Sequence, residues 1–239
     1  MSDVESKTVA IVQSSYIPWK GYFDLIDSVD EFILYDDRQY TRRDWRNRNR
    51  IKTAQGTAWL SIPVKIKGRY EQRIDETEVS DPAWPERHWK TIVHAYGRAP
   101  HFDVYQESLH ALYEQCTEAL LSRINRAFLE QICELLGIRT PFVWSTEYQA
   151  SGARTERLVA LCRSASATTY VSGPTARDYI DESLFHEAGI ELRYMDYAGY
   201  PEYEQLHPPF EHAVSIVDLL VHTGEEARRF LKSASVPAS

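Results

Sequence analysis

Apolar residues in this chain come in short unbroken runs separated by stretches in which they recur every three or four positions. Val9-Ala10-Ile11-Val12 and Phe32-Ile33-Leu34-Tyr35 have strand length and end in polar residues. The alternation in Thr57-Ala58-Trp59-Leu60-Ser61-Ile62-Pro63-Val64 suggests a further strand, with Pro63 marking an edge or an end. Trp89, Ile92, Val93 and Tyr96 then form one helical face that stops near Gly97. From about 102 to 136 the pattern stays helical, with a break near Cys116 and a stop at Gly137. Beyond it, runs at 141–144, 168–171 and 190–195 alternate with helices at about 155–164, near Thr175 and on either side of Gly224. Strands alternating with helices of about ten residues predict βαβ units, hence an α/β fold with a mostly parallel, Rossmann-like sheet and helices on both faces. The helical stretch from about 84 to 136 interrupts the alternation and reads as an insertion that covers one side of the sheet and walls the site.

Composition narrows the class. A chain of 239 residues, 43% hydrophobic and 12% aromatic, suffices for one α/β domain with a sizeable core, spanning 1–239 and ending in a frayed tail at 233–239. The formal charge of −8 disfavours nucleic acid and acidic membrane surfaces as general partners. No run approaches the roughly 18 apolar residues of a membrane span, and the first seven residues lack signal-peptide character, so a cytoplasmic protein is expected. Cys116, Cys133 and Cys162 suit reduced core thiols. Neither a His-Glu-x-x-His nor a Cys-x-x-Cys spacing occurs, so no metal site is expected.

The candidate chemistry gathers where the first two strands end, which is where open α/β sheets bind ligands. Gln13, Tyr16, Trp19 and Tyr22 offer an amide and an aromatic platform suited to a planar or sugar-like ligand, although Pro18-Trp19 could equally pack the turn. Asp36 and Asp37 are adjacent, so strand alternation would send them to opposite faces. Asp37, nearer the polar block that follows, is the candidate general base or amine-binding carboxylate. Between Arg42 and Lys52, six basic residues interleave with Trp45, Asn47 and Asn49; in an acidic protein this reads as a local anion pocket rather than a nucleic-acid surface. Ser172-Gly173-Pro174-Thr175 ends a strand and opens a helix with a Thr175–Asp178 capping box, leaving Ser172 as a binding residue more than a nucleophile. His88 and Lys90 are candidates for proton transfer or phosphate binding, though two positions apart on a helix at most one reaches the crevice.

Three segments also carry a resemblance. Val12-Gln13-x-x-Tyr16-x-Pro18-Trp19-x-Gly21-Tyr22-Phe23-Asp24, then Asp36-x-x-Gln39-Tyr40, then Asn47-Arg48-Asn49-Arg50-Ile51-Lys52, resemble the WbqC-like protein family of bacterial O-antigen and natural-product gene clusters. Matching segments recur at His88-Trp89-Lys90, Thr169-Tyr170-Val171-Ser172-Gly173, Tyr203-Glu204-Gln205 and Ser215-Ile216-Val217-Asp218, so the likeness runs from about residue 8 to about 224. His207-Pro208-Pro209 departs from it.

The resemblance implies an enzyme that modifies amino sugars or related amines by acyl or aminoacyl transfer, with an acyl thioester or ATP with Mg as donor or cofactor and an acyl carrier protein as a possible partner. It singles out Asn47, Arg48 and Asn49 for phosphate binding and adds Gln39 and Gln205 to the binding residues. Ser215-x-x-Asp218 reads as a helix N-cap box. The expected activity is a transferase that forms an amide on an amino-sugar nucleotide or natural-product amine. Two alternatives stand beside it: ATP-dependent adenylyl or nucleotidyl transfer in the same crevice, and a non-catalytic module that binds a carrier protein or RNA.

Overall fold

A computed structural model describes residues 6–235; the last four residues of the expected tail lie outside them. Five parallel strands form the central sheet: β1 (Thr8–Val12), β2 (Glu31–Leu34), β5 (Phe142–Trp144), β6 (Thr169–Ser172) and β7 (Glu191–Tyr194), in the order β5-β2-β1-β6-β7. β1 pairs Val9 to Val12 with Glu31 to Leu34 on one side, and Thr8 to Ala10 with Thr169 to Val171 on the other. The chain leaves β1 toward β2 and β5, then returns to the opposite side for β6 and β7, so the topological switch point lies between β1 and β6.

Both faces of the three inner strands are covered, which is why β1, β2 and β6 read as largely apolar runs, whereas the edge strand β7 alternates. Ala10, Phe32, Leu34 and Val171 face a core shared with α1 (Lys20–Asp27), α2 (Trp84–Tyr96), α3 (Phe102–Glu114), α4 (Leu121–Leu136) and α7 (Ile216–Thr223). Val9, Ile11, Ile33 and Tyr170 face a smaller core made with α5 (Arg154–Ser164) and α6 (Glu182–Glu187).

The crossover from β2 to β5 contains α2, α3 and α4, and ahead of them a separate antiparallel hairpin of β3 (Arg48–Thr53) and β4 (Gly56–Ser61). The expected strand at 57–64 therefore belongs to this hairpin and not to the main sheet, and the arginine-rich segment before it is in part its partner strand. Local chemistry explains the helix ends. Gly137 takes the left-handed conformation at φ 70°, and the Ile138 amide donates back to the Cys133 carbonyl at 2.8 Å, which closes α4. α2 ends at Tyr96, before Gly97, although Val93 on its expected apolar face is exposed. Cys133 and Cys162 are buried free thiols, and Cys116 is a half-buried one.

One structural expectation fails at residues 174–178. They form a short 3₁₀ turn with no side-chain cap, and the helix that follows starts only at Glu182, capped by Asp181, whose carboxylate accepts from the Ser183 amide at 3.1 Å. Gly173 takes the N-cap position and Pro174 opens the turn, so Thr175 already lies inside it and is not placed to cap it.

The larger core is unusually aromatic where α2, α3 and α4 meet the turn after β1. Phe128 touches Tyr16, Trp84 and Tyr113 edge-on or tilted, with ring centroids 5.0–6.2 Å apart. A Phe128→Ala substitution should cost about 3–5 kcal/mol of stability through lost burial and the cavity it leaves, read as a drop in urea midpoint with unchanged m-value.

Candidate functional site

The segment after β1 and the segment after β2 are joined by one buried polar network. The Ser14 amide donates to Asp36 Oδ1 at 2.7 Å, and Arg46 Nη1 donates to the carbonyls of Gln13 (2.7 Å) and Ser14 (3.1 Å). From α4, Asn125 Nδ2 donates to Ser14 Oγ and to the Arg46 carbonyl, both at 2.9 Å. The Tyr22 hydroxyl donates to the Gln13 carbonyl at 2.9 Å. The Gln13 turn, the Asp36-Asp37 bend and the arginine segment thus converge, with the backbone of the first clamped by the other two.

Three cavities open around this network. The largest, about 940 Å³, lies over the switch point between β1 and β6; Gln13, Arg38, Arg46, Arg154, Ser172 and Gly173 are among its lining residues, with Tyr35 and Tyr179 on its walls. Three guanidinium groups against the single carboxylate of Asp178 make it locally basic in a chain of charge −8. The second, about 300 Å³ and mainly apolar, is framed by Trp19, Tyr22, Trp45, Pro18 and Asn49, with Arg46 at its edge. The third, about 470 Å³, lies over β2 and β5 beneath α4 and is bordered by Asp36, Asp37, Ser122, Arg126 and Trp144.

The turn that shapes the second cavity is strained. Ile17 is buried and β-branched yet sits at φ 35°, a region such residues avoid. Gly21 is required beneath the Trp19 ring, because a Cβ there would lie 2.3 Å from it.

Asp36 and Asp37 both border the third cavity, against the expectation that they diverge. β2 ends at Leu34, so the pair lies in a bend where strand alternation no longer applies. Their electrostatics differ sharply. Asp37 accepts from Arg38 (2.7 Å), Arg157 (2.5 Å) and Ser145 (2.8 Å). Burial pushes its carboxyl up, but those hydrogen bonds and the two guanidinium charges outweigh burial and hold it below the usual carboxylate range. Such a carboxylate is a poor proton acceptor, so this geometry makes Asp37 an ion-pair anchor rather than the expected general base. Asp36, only 1% exposed, has its carboxyl pushed up to about 6 by burial, against the opposing Ser14 hydrogen bonds and the Arg46 charge.

The other expected site residues divide. Gln13 and Ser172 border the large crevice, with Ser172 also accepting from the Tyr170 hydroxyl at 3.2 Å, and Gln39 lies at its rim, donating to the Tyr70 carbonyl at 2.9 Å. Trp19, Tyr22 and Asn49 frame the apolar cavity, Asn49 also donating to the Tyr16 carbonyl at 3.1 Å.

Six residues are placed away from all three cavities. Tyr16 is fully buried, its hydroxyl between His88 Nδ1 (2.9 Å) and Tyr113 (2.8 Å), so its side chain packs the core instead of facing a cavity. His88 also bonds the Ser61 carbonyl at 3.2 Å, and burial lowers its pKa to about 4, which keeps it a neutral core group. Lys90 stands on the outer face of α2, 71% exposed and paired with Glu86 at 2.6 Å. Asn47 spends its amide on the Tyr40 hydroxyl (2.9 Å) and the Ile62 carbonyl (2.8 Å). Arg48 lies 4.1 Å over the Trp59 ring and donates to the Arg43 carbonyl. Gln205 is held by Asp218 (2.8 Å) and the Glu211 backbone. Ser215 does cap α7 through the Val217 amide, but Asp218 serves Tyr203 and Gln205 instead of closing a box.

Arg38, Arg154, Arg157, Ser145 and Arg126 were not among the expected site residues. Arg157 meets Asp37 across 120 positions, and no local pattern announces such a pairing. Among the described residues, no group of three or more His, Cys, Asp or Glu is placed to hold a metal ion, and no helix is long and apolar enough to cross a membrane.

Two stability tests follow from these partners. Asp37→Asn leaves two guanidinium groups without their carboxylate and should cost about 2–4 kcal/mol, read by urea denaturation; loss of a free-standing catalytic base would leave stability unchanged. His88 binds fewer protons folded than unfolded, so its contribution is complete above pH 6.5 and is lost as pH falls toward 4. Asp36 acts in the opposite sense, binding more protons folded than unfolded between about 4 and 6. The His88 share is therefore isolated by difference: His88→Gln should weaken the loss of stability between pH 6.5 and 4, at up to about 1.4 kcal/mol per pH unit.

Comparison with known proteins agrees with the sequence resemblance. The chain matches the WbqC-like protein family over residues 13–230. It is 51% identical over 226 residues to "Uncharacterized protein Rv1507c" of Mycobacterium tuberculosis (strain ATCC 25618 / H37Rv), covering 95% of this chain and 98% of that protein. No solved structure matches it.

Proposed function

Since the chain belongs to the WbqC-like protein family, a family associated with biosynthetic functions, we propose that it is a transferase that forms an amide by moving an acyl or aminoacyl group onto the amine of an amino-sugar nucleotide or natural-product intermediate. The observation that carries this reading is the basic crevice at the switch point between β1 and β6, the position at which doubly wound sheets bind phosphorylated ligands.

Three features support it. Arg38, Arg46 and Arg154 supply positive charge suited to a diphosphate, and a fork of guanidinium donors matches phosphate oxygens. Gln13 and Ser172, at the ends of β1 and β6, supply neutral polar groups for sugar or base. The adjoining apolar cavity, which shares Val12 and Arg46 with the crevice, has the lining and size for a short acyl or aromatic group. In this scheme the phosphate-bearing substrate lies along the crevice, and Arg46 sits where its reactive end would meet the acyl group.

Uridine diphosphate is the probe for the crevice. Calorimetry at low salt should show binding to the native protein, and Arg154→Ala, an exposed position outside the buried network, should weaken it about tenfold, corresponding to one charge-assisted contact of about 1.4 kcal/mol. No binding, or equal binding by the variant, removes the crevice from the scheme. Release of pyrophosphate from ATP with magnesium would move the assignment to adenylyl transfer in the same place.

A further inference from the structure

The basic block between Arg42 and Lys52 does not form the anion pocket expected of it. Of its six basic residues, Arg46 alone borders any of the three cavities, and Lys52 turns inward onto the Pro209 carbonyl. The hairpin's alternation places the next two. Asn49, Ile51 and Leu60 are buried, so Arg48 and Arg50 of β3 lie on the outer face together with Thr57, Trp59 and Ser61 of β4. Register sets Arg50 opposite Trp59 and Arg48 opposite Ser61. Trp45, from the loop before β3, lies beside Trp59 with ring centroids 5.3 Å apart. The Arg48 guanidinium lies 4.1 Å over Trp59, and that of Arg50 is 5.8 Å from Trp45 and 6.0 Å from Trp59. At the margin, Arg42 lies 5.0 Å over Tyr70. The three rings protrude: Trp45, Trp59 and Tyr70 are 40%, 46% and 72% exposed. Arg46 pairs with Asp44 at 3.6 Å and Arg69 with Glu78 at 2.9 Å, but Arg42, Arg43, Arg48 and Arg50 have no carboxylate partner among the described residues.

A guanidinium stacked on a ring keeps its N–H edges free and is already positioned to meet an anion. Arg48 and Arg50 stand two positions apart on an extended strand, about 7 Å, a repeat close to that of phosphates along an extended single strand. Indoles that protrude between cations offer stacking surfaces, and every base has a π-face to lay on them. Thr57 and Ser61 place hydroxyls on the same face, where they can bond a ribose 2′-hydroxyl. We infer that the outer face of the β3–β4 hairpin, extended by Arg42, Arg43, Trp45 and Tyr70, binds single-stranded RNA without sequence preference. A duplex presents phosphates but keeps its bases stacked on one another, so it meets the arginines and not the rings. An acidic polypeptide likewise uses the charges alone. The overall charge of −8 does not oppose contact, because exposed charges more than about 10 Å away are largely screened at 0.1 M salt. None of these residues borders the crevice, so the site is independent of the transferase reading.

The test is fluorescence anisotropy of a labelled oligouridylate with the full chain. The strand should bind, and a plot of log K against log salt should fall with a slope of about −3, the value for four phosphates neutralised on a single strand. Arg48→Ala should make that slope shallower by about 0.7. Trp59→Ala should weaken binding about tenfold, and Trp59→Phe, which keeps a ring, should restore most of it. Should the alanine variant fold poorly, the native protein alone decides: a duplex of the same length, oligothymidylate and poly-glutamate of equal charge should each bind several-fold more weakly than oligouridylate. No binding, full affinity in Trp59→Ala, equal binding of any of those three competitors, or displacement of the strand by uridine diphosphate overturns the inference. Uridine diphosphate binding in the crevice bears on the transferase reading alone, so the two can fail separately.

Discussion

The clamp on Ser14 is the interaction on which the rest of the site depends. Its amide, hydroxyl and carbonyl are taken respectively by Asp36, Asn125 and Arg46, three residues from three different segments. Removing any one would leave a buried polar group of Ser14 without its partner, at a cost above that of a single surface hydrogen bond. The network therefore acts as one unit, and it fixes three things at once: where β1 ends, how the bend after β2 is aimed, and how far α4 stands from the sheet. Each cavity takes at least one wall from those elements.

That arrangement places opposite charge on the two sides of a six-residue segment. Toward β6 lie guanidinium groups in excess; toward β5 lie carboxylates, one of them without a cation. The Asp37 ion pairs stand at the partition, tying Arg38 of the segment to Arg157 of α5 and so bracing it from the opposite face of the sheet. The overall charge of −8 gives no hint of this division.

The fold was legible because a parallel sheet buried on both faces writes itself as largely apolar runs, as β1, β2 and β6 do, while the edge strand β7 alternates Glu191-Leu192-Arg193-Tyr194. The hairpin was less so. β3 carries Arg48, Asn49, Arg50 and Lys52, and polar composition hides a strand whose exposed side is lined by guanidinium groups lying over Trp45 and Trp59. At the site, local motifs located the right turns but not the right atoms. Tyr16, Asn47 and His88 are polar residues in conspicuous positions, yet each is consumed by the core, and nothing local distinguishes an amide that serves Ile62 from one that awaits a ligand. Asp36 was passed over for its neighbour because strand alternation was extended past Leu34, where β2 ends, to residues 36 and 37. The partners that separate the two aspartates, Ser14 and Arg157, lie 22 and 120 positions away.

The central position of β1 has a consequence for synthesis of the chain. β1 is made before every other strand of the sheet, but its second edge pairs only with β6, at residues 169–172. Until β6 has been made, an apolar strand carries an unsatisfied ladder of amides and carbonyls, the condition that favours misassociation of nascent chains. The long β2-to-β5 crossover, with its own aromatic core of α2, α3 and α4, can pack against the other flank in the interval. Cotranslational order would then run from that flank outward, with the crevice between β1 and β6 completed last.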